Sequence, residues 1–286
     1  MTSTLDDTER CAANRLLWHV PLLWLSAGMA VLALVCIGGL ILDQRVLTGA
    51  PIWAKPLKFA ISVGLYSVTL SWLLGLIGRG RRATRRLGTI AAAFLAIEMI
   101  IIVGAVIAGT TSHFNVSSLF AAALWATMAV SIVIVWTATI VVAVMLFRAP
   151  LGDRARSLAI RSGLIVAVIR MGLAFLMTGP QGSQITDYQG IIGAHTVGLP
   201  DGGPGLPLLG WSTVAGDLRI PHFVGMHAMQ VLPLVAVALE ILARRVPTLG
   251  HVTTRFRILL VTIALFAAAT VAVIAVVARG EADVVR

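Results

Sequence analysis

The sequence predicts an all-α, polytopic integral membrane protein: one membrane domain over 1–286 with seven transmembrane helices. Only 12% of its 286 residues are charged and 58% are hydrophobic. That is roughly half the charged share of an ordinary soluble domain. A chain so apolar cannot cover its own surface in water, so lipid must cover it. Seven apolar runs each approach or exceed the roughly 20 residues that carry a helix across the hydrocarbon. The runs are continuous rather than alternating, which excludes a transmembrane β-barrel. Arginines crowd alternate connections between the runs, the pattern that sets membrane orientation.

The first run, 17–42, follows Asp6, Asp7 and Glu9. It is too long for a signal-peptide core and no small-residue cleavage site follows it, so it is expected to remain as a helix. The second run is 57–78. The third, 87–109, is preceded by Arg79, Arg81, Arg82, Arg85 and Arg86. The fourth, 118–147, is long enough to tilt or to project beyond the bilayer. Arg148, Arg154 and Arg156 lead into the fifth, 158–178. The sixth, 222–243, and the seventh, 258–278, are separated by Arg244, Arg245, Arg255 and Arg257. The connection between runs three and four holds no Lys or Arg, and the long one between five and six holds only Arg219. The positive-inside rule then places the N-terminus in the cytoplasm, the C-terminus outside and the long loop outside. The setting expected is a bacterial inner membrane, crossed several times.

The net charge of +10 is explained by these loops lying beside anionic lipid. It carries no nucleic-acid footprint. Cys11 and Cys36 are separated by membrane depth and cannot form a structural disulfide. No Cys-x-x-Cys pair exists, which argues against thiolate zinc or iron–sulfur sites. No internal repeat supports an inverted-repeat transporter.

Three polar segments fall on the predicted outer side. Gly49–Phe59 holds Lys55 and Lys58, the only lysines against twenty arginines. A lysine offers a compact point charge whose proton affinity moves on desolvation; the pair equally fits an interfacial helix start anchored by Trp53. Gly109–Asn115 holds His113, with Ser112, Asn115 or Ser117 suited to cap the next helix. Gly216–Gln230 holds Asp217, Arg219, His222, Met226, His227 and Gln230. Pro221 suits a first helical turn, which sets His222 at the start of the helix. His222 and His227 are five apart, about 140° around a regular helix. One straight helix cannot bring both to one metal, although either could join His113. The loop 179–220 is Gly- and Pro-rich yet apolar at Ile191–Ile192, Leu206–Leu209 and Trp211. A loop of that length and character should fold back as a lid, with His195 as a further polar contact.

Two charges fall inside runs: Glu98 in the third and Arg170 in the fifth. Either alone at bilayer depth is costly, so they are expected to face inward and to pair.

These features point to an outward-facing, histidine-lined pocket able to take a small-molecule ligand. His113, His222, His227 and Met226 are the expected metal or haem ligands, with copper or haem as natural occupants. The same three histidines and Asp217 are the catalytic candidates. Lys55, Lys58, Asn115, Arg219 and Gln230 are the expected ligand contacts. A permease for a small anionic solute is the second reading, and a structural or assembly subunit docking a partner through its outer loops the third.

Overall fold

In the computed structural model, residues 18–77, 80–180 and 182–284 are described. Cys11, Arg79, the acidic N-terminal residues and the first residue of the first run lie outside that range. Seven helices long and apolar enough to cross a membrane account for most of it, as in a multi-pass membrane protein. They are α1 (Val20–Leu42), α2 (Ala54–Gly75), α3 (Arg81–Ile107), α4 (Leu119–Phe147), α5 (Arg154–Leu173, continued by a 3₁₀ turn Ala174–Thr178), a sixth span in two pieces, and a last long helix ending at Val284. The lid loop contains the short α6 (Gly182–Thr186). The sixth span is α7 (Arg219–Met226) and α8 (Ala228–Leu242), and the short α9 (Pro247–Gly250) leads into α10 (Val252–Val284). A two-residue hairpin, β1 (Val46–Leu47) and β2 (Ala50–Pro51), joins α1 to α2.

Several helices start earlier than the apolar runs. α3 includes Arg82, Arg85 and Arg86, and α5 begins at Arg154. The reason is that arginine is a good helix former whose long side chain reaches back to water from the helix end. Caps mark other starts. His19 accepts from Leu22 N–H at α1, Ser118 from Ala121 N–H at α4, and Asp153 from the Ala155 and Arg156 amides at α5. The α4 cap is thus Ser118, not Ser112, Asn115 or Ser117.

The core has two parts. A large apolar cluster joins α1 to α5 through residues such as Leu22, Leu70, Leu95, Met128, Leu146 and Leu164. A smaller one, with Ala159, Leu232 and Leu259, joins α5, α8 and α10. The sixth span lies very close to α5 at Gly225. A Cβ there would sit 2.0 Å from Arg170 Cγ, so only glycine admits this approach.

The regular helix of the sixth span is interrupted at His227, a single residue between α7 and α8 whose backbone stays in the right-handed helical region at φ −77° and ψ −3°. A regular helix over the whole span was the expectation. Further along, Pro233 withholds an N–H from the ladder.

At one end of the bundle lie the arginine-rich turns. The lid forms the other. Its backbone pairs with the α3–α4 segment (Asn115 with Ile191) and with itself (Thr196 with Asp217, Gly205 with Ser212).

Candidate functional site

The polar centre lies at the lid end, and its deepest member is Glu98. It is 1% exposed. Nine residues, about 14 Å of helical rise, separate it from the end of α3, further than an imidazole reaches. The segment after α3 therefore turns back into the bundle. Gly109 makes this turn with a φ of 68°, in the left-handed region open to glycine. His113 is thereby carried down until its Nε2 lies 3.8 Å from Glu98 Oε1, while its Nδ1 meets Ser112 Oγ at 3.0 Å.

An aromatic wall holds the imidazole. Phe59, Phe114 and Trp125 surround it at ring-centroid distances of 5.5, 6.0 and 5.4 Å. Phe114 is itself left-handed, with φ 65°, a costly conformation for a bulky residue. Its neighbours hold it there: its ring packs on Trp125 and on His195 from the lid, and its carbonyl accepts from Ile192 N–H. Burial, and then the charges of Lys55 and His195, hold the His113 imidazole well below its usual pKa, so the ring is neutral at pH 7.

Lys55, in the first turn of α2, completes the cluster. It lies within electrostatic reach of Glu98 and of Asp201, and it donates no hydrogen bond among the described residues. Glu98 Oε2 is fully buried and has no hydrogen-bond partner there either.

The lid is clamped by the remaining charges. Asp201 accepts from His195 Nδ1 at 2.5 Å and from the His195 and Thr196 amides. Burial alone would raise the Asp201 carboxyl; these bonds outweigh it and hold it below the usual carboxylate range. Burial outweighs Asp201 in turn at His195 and lowers its pKa. Asp217, 1% exposed, accepts from Ser212 N–H and from the Arg219 side chain, whose Nη2 also reaches Gly210 O. Lys58 Nζ donates to Leu209 O at 2.6 Å. Arg219 and Lys58 thus bond to the lid, and Asp217 has Ser212 and Arg219 but no histidine as partner among the described residues. Asn115 is likewise internal to its loop, bonded to Thr110 and Ser117.

The expected histidine centre does not assemble. His222 Nδ1 donates to Arg170 O at 3.0 Å. That carbonyl is available because the 3₁₀ turn after α5 directs Ala174 N–H to Met171 O instead. His227 packs on Phe223, with ring centroids 4.5 Å apart, and neighbours Gln230. No group of three or more His, Cys, Asp or Glu is placed to hold a metal among the described residues. Met226 stays with the sixth span. The histidine that approaches His113 is His195, across Phe114. Nor do Glu98 and Arg170 meet: Glu98 faces His113 and Lys55, and Arg170 has no carboxylate at ion-pair distance among the described residues. Its aliphatic stem packs against Gly225 instead. Two members of the site carry no site role in the sequence: Ser112 reads there only as a candidate cap, and Asp201 has no reading.

Comparison of the chain with protein families, curated proteins and solved structures found no match.

Proposed function

We propose that this chain is a permease of the bacterial inner membrane that carries a small anionic solute together with a proton, loading at the lid end. The observation that supports it is Glu98, a carboxyl 1% exposed whose Oε2 has no hydrogen-bond partner among the described residues. An unsatisfied buried polar oxygen costs about 1–3 kcal/mol. Ionisable groups inside membrane helices mark ion paths and proton relays. His113 and Lys55 are both within its reach, and 3.8 Å to His113 exceeds a hydrogen bond, a gap that a ligand oxygen can bridge.

The coupling follows from charge. With Glu98 ionised, the carboxylate occupies the field of Lys55. Once Glu98 takes up a proton, the ammonium is left to the solute. Protonation and anion binding therefore favour one another, and the favour is reciprocal. Neutral His113 can receive a proton at one ring nitrogen and release one from the other, linking Ser112 to Glu98. The arginine bias of the opposite end supports a lid that faces outward. The metal or haem reading gives way, because its donors point to separate partners.

The test is purified protein in liposomes holding a pH dye, challenged with formate, nitrate or inorganic phosphate. Lumen acidification with at least one anion, lost in Glu98→Gln, is expected. Equal acidification in protein-free vesicles, or in Glu98→Gln, overturns the reading.

A further inference from the structure

A second site lies at the arginine-rich end, unrelated to the permease reading. There α4, α5 and α10 border an open cleft of about 610 Å³, lined by Arg154, Ser157, Arg161 and Ser162 and flanked by Phe147 and Phe256. No acidic residue lines it among the described residues. The nearby carboxylates are already taken by other arginines: Glu240 by Arg156, and Asp153 by Arg255. Among the described residues, the two arginines in the cleft have neutral partners only. Arg154 lies 5.4 Å over the Phe256 ring and donates to Thr253 Oγ1, and Arg161 lies 5.6 Å over Phe147 and donates weakly to Ala149 O. Arg161 Nε is buried with no hydrogen-bond partner among the described residues. A guanidinium with a buried unmet donor, beside a second guanidinium and two hydroxyls, matches the planar fork that holds phosphate oxygens.

Position and surroundings select the kind of phosphate. The cleft opens at the level of the helix ends, where headgroups sit. Below it, Ile165, Ile169 and Val144 are 46%, 58% and 45% exposed on α5 and α4. They form an apolar track leading down from the arginines, as an acyl chain would lie. We propose that this cleft binds the phosphodiester headgroup of an anionic phospholipid, with Arg161 and Arg154 on the phosphate and Ser157 and Ser162 on the remaining headgroup oxygens. Basic pockets between transmembrane helices suit this chemistry.

The experiment uses the full chain in a zwitterionic detergent. Phosphatidylglycerol, phosphatidylcholine or inorganic phosphate is added, and binding is read by native mass spectrometry and by thermal melting. Phosphatidylglycerol should persist as a bound mass and raise the melting temperature, while phosphatidylcholine and inorganic phosphate do neither. Arg154→Gln with Arg161→Gln should retain about tenfold less lipid, the loss of one or two charged hydrogen bonds. Ser162→Leu, which fills the cleft and keeps every charge, should lose it too. Arg82→Gln with Arg86→Gln removes the same charge at the same end and should change nothing. Equal retention of phosphatidylcholine, an equal shift with inorganic phosphate, or equal losses in the Arg82 and Arg86 control overturns the proposal.

Discussion

An apolar setting shifts the ionisation of the imidazoles at the lid end. His113 is the clearest case. Its folded pKa lies well below the usual imidazole value because of burial and the neighbouring Lys55 and His195 charges. The unfolded chain, with an ordinary pKa near 6.5, therefore binds more protons just below that pH than the folded one. By linkage, stability is full above about pH 6.5 and falls as the medium is acidified below it. Thermal melting between pH 7.5 and 5 should show this slope, and His113→Gln should make it shallower, with His195 retaining its share. An unchanged slope would mean that another group carries the pH dependence. Glu98 shows the limit of reading residues alone. Its burial was legible from its place inside an apolar run. Its partner was not, because a nearby opposite charge on another helix looked simpler than a loop folding back from α3. No periodicity marks such a fold-back. Its visible signals, Gly109 and His113, are equally those of a plain turn.

Elements are held to one another at a few close contacts, and these set the next predictions. Gly225→Ala would put a methyl 2.0 Å from Arg170 Cγ. Forced overpacking of this kind costs about 1–3 kcal/mol. It should lower the melting temperature and free His222 from Arg170 O, which ring-proton NMR of a histidine-labelled sample would register. No loss of stability would show that α5 and α7 can move apart freely. The lid has its own clamp. Asp217→Ala leaves Arg219 unpaired and two backbone donors unmet, and breaking such a buried pair costs about 3–5 kcal/mol. Hydrogen exchange over 205–218 should quicken markedly while the spans stay protected. Unchanged exchange there would remove Asp217 as the clamp. That the loop folds back was legible, since it is too apolar for a solvated linker. The interruption at His227 was not, because no proline or glycine stands at that position to mark it.

For the molecule as a whole, composition and run length alone indicated the seven spans, because lipid imposes one helix length on every crossing. Their ends shifted by a few residues wherever arginine could extend a helix. Orientation rests on charge: reporter fusions after Arg156 and Arg245 should read cytoplasmic and fusions within 190–215 external, and the inverse pattern would put the lid inside. The candidate site drew on residues from α2, α3, the turn after α3, α4 and the lid, which meet only when the bundle closes. Half of its members were legible as unusual residues, and none of its pairings. The central claim, that Glu98 couples a proton to an anion, separates two kinds of transport in one preparation. Liposomes bearing wild-type or Glu98→Gln protein are loaded with labelled formate, nitrate or phosphate, whichever gave flux. Exchange against the same unlabelled anion at equal pH is measured beside uptake driven by an acidic exterior. Glu98→Gln should keep the exchange and lose the proton-driven accumulation; accumulation that survives in Glu98→Gln would contradict the coupling role of this carboxyl.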